Sequence, residues 1–327
     1  MAITLPRAVN LKRALTLLGQ AFGGTLEVDQ LKWTYRGGVG LDAHDASFTR
    51  TGRGITRLSA KHLHFKISLL PLLAGKLVIR NLTLQQPEMT LSAKAEGPDE
   101  QTGRRAGSSP LTVELREFQL NDGHIHIEDS KTVPGKTVNF QLTRIQAQIK
   151  GMNPGGNAEI AMSLGITDQL GKDAGSVSCK GHWQEKGLHL DLKNAHLELD
   201  GELQGLDSRL LRPYLARDRS AAELNGPIEA SFRYTREPRG HGKAVGRVSL
   251  DSVEFADPTR WQQALPGARS RIDLEMDFKA KHMEVRLTRA SLGNISASGQ
   301  LEVHPGPICR RASFSAQLPV AETKKLI

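Results

Sequence analysis

Residues 57–92, RLSAKHLHFKISLLPLLAGKLVIRNLTLQQPEMTLS, limit the fold more than any other stretch of the chain. Leu63, Phe65 and Ile67 alternate with His62, His64 and Lys66, the period-2 pattern of a strand with one apolar and one solvated face. The pattern predicts a strand, a short connection, a second strand and a third. Leu69-Leu70-Pro71-Leu72-Leu73 breaks the alternation, and Pro71 excludes a central strand there. Gly75 allows a reversal, after which Leu77 and Ile79 resume the pattern. Arg80-Asn81 then shifts the register ahead of Leu82 and Leu84, as a bulge does. Gln86-Pro87 marks a further bend before Met89 and Leu91.

The same alternation runs along most of the chain. Strands are expected over 25–29, 31–35 and 40–49, with Gly37-Gly38 and residues 51–54 as turns. Val113 and Leu115 alternate with polar partners, and Phe118 and Leu120 follow in shifted phase. Asn121-Asp122-Gly123 reads as a tight turn into a strand whose Ile125 and Ile127 face inward. Val138, Phe140, Leu142, Ile145, Ala147 and Ile149 make a long or bulged strand, and the loop at 152–156 returns the chain to Ala158, Ile160 and Met162. Further strands are expected around Val177–Trp183, 188–192, 197–199, 228–234, 245–255, 272–278, 283–287 and 295–303, with a last one at 314–320. About sixteen strand candidates stand against two modest helices.

The first helix covers roughly 6–22, with Pro6 in its first turn, one broad apolar face and Gly23-Gly24 at its end. The second is short, near 206–217, entered at Asp207 or Ser208 and disturbed by Pro213. Residues 93–110 are almost devoid of apolar side chains and read as a flexible loop. The organisation is therefore an N-terminal part, 1–92, that loop, and a continuing β region over 111–327.

Chemistry is sparse in this sequence. HLH at 62–64 and HIH at 124–126 each put two imidazoles on one strand face, a spacing that can bind metal, but solvated strand positions explain both more simply. Ser59, Ser130 and Ser178 lack the setting of a nucleophile elbow, and the glycines near 37–40 and 52–54 match no phosphate loop. No cofactor, metal or catalytic residue is assigned, and the chain is read as non-enzymatic. Cys179 and Cys309 are far apart in sequence and form no CxxC motif, so a disulfide and two free thiols both remain open. A net charge of +9 reads first as a soluble surface with an excess of Lys and Arg, with attraction to anionic lipid headgroups or nucleic acid as the sharper alternatives, and no zinc-finger spacing, aromatic RNA-binding strand or basic helix points to nucleic acid.

What remains is an apolar sheet face: Leu63, Phe65, Ile67, Leu77, Ile79, Val113, Leu115, Ile125, Ile127, Phe140 and Leu142. Left bare in water it forgoes about 25 cal/mol per Å². A second sheet or bound acyl chains must cover it, since two short helices do not suffice. Periodicity does not separate a closed sandwich from a lipid-filled groove.

The run SLLPLLAGKL followed by VIRNLTLQQPEMTLS resembles the N-terminal region of the AsmA-like family of Gram-negative envelope proteins, the group that includes AsmA, TamB and YhdP. The upstream segment ITLPRAVNLKRALTLLGQAFGGTLEV looks like the part that follows their membrane anchor, and LTVELREFQLNDGHIHIEDS extends the likeness more weakly. The resemblance implies an elongated, curved, mostly antiparallel sheet forming a hydrophobic groove of the bridge-like lipid transfer type. It implies phospholipid partners, a role in phospholipid transport between the two membranes, and a periplasmic location with an inner-membrane tether. The eleven apolar residues named above then become groove-lining candidates. Because the likeness starts almost at residue 1, the chain is expected to be a fragment without its anchor and cut short at its far end. The alternative is a periplasmic β-sandwich scaffold that assists outer-membrane protein assembly without carrying lipid.

Overall fold

The computed structural model describes residues 25–34, 39–49, 55–68, 70–71, 76–93, 112–130, 137–152, 156–184, 195–211, 213, 226–238, 241–255, 265–279, 282–292 and 295–303. The fold is mostly β. The chain separates into two compact units, Met1–Asn153 and Pro154–Ile327. The expected helix at 6–22, the loop within 94–110 and the strands at 188–192 and 314–320 lie outside the described residues. Of the helix near 206–217, a single 3-10 turn over Ser208–Leu211 is described, following a strand that runs on to Asp207.

The first unit contains β1 (Thr25–Glu27), β2 (Gln30–Thr34), β3 (Val39–Thr49), β4 (Ile55–Ser68), β5 (Lys76–Ala93), β6 (Thr112–Leu115), β7 (Glu117–Asp129) and β8 (Val138–Lys150). Its sheet runs β1-β3-β4-β5-β7-β8, with β2 also against β3 and β6 also against β5. Residues 57–92 thus form two strands where three were expected, because β5 continues through Gln86-Pro87 without reversing. The expected bulge at Arg80-Asn81 is present: Lys66 pairs with Asn81 but Ile67 with Ile79, leaving Arg80 as the extra residue.

Pairing within this unit is mixed. β5 runs antiparallel to β4 but parallel to β6 and β7, with Ile79 beside Leu115 and Leu82 beside Phe118. A parallel return needs a connection of a dozen residues or more. The polar stretch between Ala93 and Thr112 meets that requirement. Arg116, between β6 and β7, keeps the sheet bonded, its N–H donating to Ile79 O (2.9 Å) and its carbonyl accepting from Met152 N (3.0 Å).

Asn121-Asp122-Gly123 is not a turn, for β7 passes straight through it. Asp122 instead takes a left-handed backbone (φ 54°), as do Asp45 (49°), Gln86 (47°) and Arg144 (52°). These four lie on one line across the sheet, through β3, β5, β7 and β8. At that line the apolar face changes parity in every strand. It passes from Ala43 to Ala46, from Leu84 to Pro87, from Leu120 to Gly123 and from Ile145 to Leu142. In β4 the same slip falls between Ala60 and Leu63, where Lys61 and His62 are both exposed. A slip in one strand alone would turn its apolar side chains to the wrong face. Five aligned slips keep them together, and the Gln86 amide donating to Asp122 (3.1 Å) ties two of them. Leu120, Pro87 and Ile145 accordingly converge over Gly123, where an added methyl would stand 2.7 Å from Leu120 Cδ2.

The second unit is a meander of β9 (Asn157–Thr167), β10 (Asp173–Gln184), β11 (His196–Asp207), β12 (Pro227–Arg236), β13 (Gly242–Phe255), β14 (Leu265–Lys279), β15 (His282–Leu292) and β16 (Ile295–Val303). Each strand is antiparallel to the next. The strands on either side of 280–282 pair as the sequence suggests, although His282, read as part of the connection, already lies in β15 opposite Lys279. The sequence also reads 257–267 as a loop or helical turn, but residues 265–267 already belong to β14.

Candidate functional site

The register assembles the apolar residues of the first unit into rows that cross the strands. One row is Leu41, Phe65, Leu82, Phe118 and Ile149, and the next is Ala43, Leu63, Leu84, Leu120 and Ala147. Beyond the line of slips, Phe48, Leu58, Met89, Ile125 and Leu142 make a third. Each row crosses five strands, about 19 Å at the usual strand spacing.

Burial along the rows is uneven. Leu41 (2% exposed), Phe65 (3%) and Ile79 (1%) are sealed in a cluster with Ala43, Ala46 and Leu63, against which Leu26, Val28, Leu31, Ile67, Leu82, Leu84 and Leu115 pack. On β7 and β8, Phe118, Leu120, Ile125, Ile127, Phe140 and Leu142 are partly buried, while Val138 (6%) and Ile145 (5%) on the same face of β8 are buried. Of the sequence candidates, Leu63, Phe65, Ile67, Ile79 and Leu115 are therefore gathered in one cluster. Ile125 beside Leu142 and Ile127 beside Phe140 lie further along the same face. Leu77 and Val113 are neighbours in the parallel ladder, and their side chains lie outside the described residues. Leu41, Ala43, Leu82, Leu84, Phe118 and Leu120 belong to the same face and were not among the candidates. The alternation at Leu82, Leu84, Phe118 and Leu120 was the available signal.

The second unit repeats the arrangement. Rows across β9 to β14 include Ile160, Gly181, Leu199, Tyr234, Ala244 and Met276, then Leu164, Val177, Leu203, Ala230, Val248 and Ile272. The opposite face carries a ladder of alternating charge. Arg233 Nε donates to Asp200 (2.6 Å), Arg247 Nε to Asp273 (2.9 Å), and Lys243 pairs with Glu275. A cavity of about 770 Å³ is lined by residues of β10 to β15. It lies between a line containing Ser178, Glu202, Ser231, Arg247 and Asp273 and one containing Lys180, Asp200, Arg233 and Glu275. The row between those two lines, with Cys179, Phe232 and Leu274, also lines it.

The charge ladder has a consequence for stability. Hydrogen bonding from Arg247 holds the Asp273 carboxyl below its ordinary range, and Lys243 does the same for Glu275. A depressed carboxylate pKa contributes stability that is present above the unfolded value and lost as pH falls through the folded one. His196 is raised, first by its bond to Glu198, so its contribution is complete below the ordinary imidazole value and fades as pH climbs through the folded one. Resistance of the chain to urea is therefore expected to fall between about pH 5 and pH 3, less steeply in Asp273→Asn. Identical slopes for parent and variant would remove the ladder from the account.

The histidine pairs hold local partners. His64 is bonded to Asp42 on the facing strand, His44 and His62 meet edge to face, and His126 lies 3.4 Å from Glu128. Among the described residues no group of three or more His, Cys, Asp or Glu converges as it stands on a metal position. Cys179 is a free, buried thiol whose pKa burial pushes up, while Cys309 lies outside the described residues. No helix among the described residues is long and apolar enough to cross a membrane. No protein-family model matches the chain, and no curated protein matches it.

Proposed function

We propose that this chain is a non-enzymatic envelope protein whose aliphatic sheet faces bind phospholipid acyl chains and so contribute to phospholipid movement between membranes. The observation that carries the reading is the partly exposed end of the apolar rows on β7 and β8, where Phe118, Leu120, Ile125, Ile127, Phe140 and Leu142 meet solvent on one face. Aliphatic surface of this kind gains about 25 cal/mol per Å² when covered. Methylene chains laid across the rows cover it without directional contacts, so a chain can slide from row to row at little cost. The five aligned slips support the same reading, since they preserve an unbroken aliphatic path along the strands. Hydrophobic groove, phospholipid partner and periplasmic location are expectations of the AsmA-like resemblance and enter as parts of this proposal.

The sealed cluster around Leu41, Phe65 and Ile79 favours a second reading for that end of the sheet, in which protein covers it and the unit serves as a scaffold. Mass spectrometry of lipids co-purifying with the chain from a Gram-negative host separates the two. Stoichiometric phospholipid, lost in a folded Ile125→Asp/Leu142→Asp variant, is the expected result. A folded parent free of lipid leaves the scaffold.

A further inference from the structure

The aliphatic face of the second unit carries a charge where its rows run out. Ala158, Trp183, Leu197, Arg236 and Gly242 form the end row across β9 to β13. Arg236 is the only charged residue in the four rows from there to Leu164, Val177, Leu203, Ala230 and Val248. A guanidinium on an apolar face loses hydration that an anion must compensate. Two strands away in the same row stands Trp183, 9% exposed, whose buried indole N–H meets no acceptor. Buried indole N–H groups ordinarily find a partner. Leu197 separates the two residues, so their attachment points are about 10 Å apart, within joint reach of an arginine and an indole. Gly242, beside Arg236, presents no side chain, and the Tyr234 hydroxyl leans toward it: a methyl at Gly242 would stand 3.0 Å from that oxygen. An otherwise aliphatic face thus ends in three polar heads.

We propose that this end of the second unit binds the phosphate of a phospholipid, with Arg236 as its charge partner, Trp183 Nε1 as a second donor and the Tyr234 hydroxyl as a third. The proposal rests on the acyl-chain reading above and adds the polar end of the same molecule. Arginine pairs with phosphate through two parallel N–H···O bonds. Its five donors let it do so while keeping a protein partner. The phosphate supplies the acceptor that the indole lacks. The carboxylates next in sequence to Leu197 and Arg236, those of Glu198 and Glu237, are bonded to His196. With the phosphate at Arg236, acyl chains run inward over the rows of Leu199 and then Leu203. A diacyl chain without phosphate gains nothing from this end, and a phosphate without chains forgoes the aliphatic rows.

The test is calorimetric titration of the chain with dihexanoyl phosphatidylglycerol, dihexanoyl glycerol and inorganic phosphate, with circular dichroism to confirm that each variant folds. The phospholipid is expected to bind the parent most tightly. Arg236→Gln should weaken it by about 10-fold or more, and Trp183→Phe, which keeps an aromatic ring but removes the N–H, by about 3- to 10-fold. Arg236→Lys keeps the charge without the planar fork and should fall between parent and Arg236→Gln. Dihexanoyl glycerol should bind parent and Arg236→Gln alike, and Arg233→Gln, on the opposite face, should leave phospholipid binding unchanged. Equal phospholipid affinity in parent and Arg236→Gln would overturn the headgroup assignment, while binding of dihexanoyl glycerol would keep the acyl-chain reading. Inorganic phosphate held as tightly as the phospholipid, and lost in Arg236→Gln, would overturn the lipid source. Absence of binding by both lipids would overturn the acyl-chain reading and this one with it.

Discussion

Phe65→Asp is expected to unfold the first unit, whereas Ile127→Asp should leave it folded and only about 1–2 kcal/mol less stable. Phe65 is 3% exposed, enclosed with Leu41, Ala43, Leu63 and Ile79. Removing such a ring costs about 3–5 kcal/mol, and a carboxylate left without a partner in an apolar cluster adds several more. That total approaches the whole stability of an ordinary domain, about 5–15 kcal/mol. Ile127 shares the apolar face but is only partly buried, beside Phe140 and Leu91, so an aspartate there keeps most of its hydration. Urea unfolding followed by circular dichroism reads both variants. Equal loss at the two positions would mean that protein covers the β7 and β8 rows as fully as it covers β3 to β5.

A second large effect is expected at Gly181. A methyl group there would stand 1.9 Å from the Glu198 carbonyl oxygen and 2.8 Å from Leu199 Cδ2. The carbonyl belongs to the backbone of the facing strand, in a ladder where Gly181 pairs with Leu199. It cannot rotate away. Gly181→Ala must therefore part β10 from β11, at a cost of about 3 kcal/mol or more. Gly201 offers an internal comparison. A methyl there meets the ring of Phe232, with Cζ at 2.2 Å, but that side chain is 37% exposed and free to swing outward. Gly201→Ala should cost about 1 kcal/mol. A ranking in the opposite order would show that the close approach of β10 and β11 is not as described.

The features legible in sequence were the local ones. Alternation at Leu63, Phe65 and Ile67 placed β4, and Arg80 was visible as a bulge because it breaks the phase within one strand. The line of slips was not legible. Asp45, Gln86, Asp122 and Arg144 are separated by tens of residues and align only when the register is known. A left-handed Asp before Gly serves a hairpin and an in-strand bulge equally well, which is why 121–123 read as a turn. Parallel pairing of β5 with β6 and β7 was hidden for a similar reason, since period-2 alternation is the same for either direction. Only the length of the polar stretch after Ala93 hinted at a return. In the candidate site, Leu82 and Phe118 carried the right alternation, but nothing in a single chain says that they are neighbours. The HLH pair likewise gave two imidazoles, while His44 and Asp42 join it only through strand pairing.

The central claim is that acyl chains lie on the aliphatic face, and the most direct measurement is site-specific photocrosslinking in a Gram-negative host. A photoreactive residue at Ile127 points into the rows, and one at the adjacent His126 points to the opposite face of the same strand. The account predicts phospholipid adducts from position 127 and none above background from position 126, in chains that fold alike. Equal labelling at the two positions, or none at 127 in a folded chain, would contradict it.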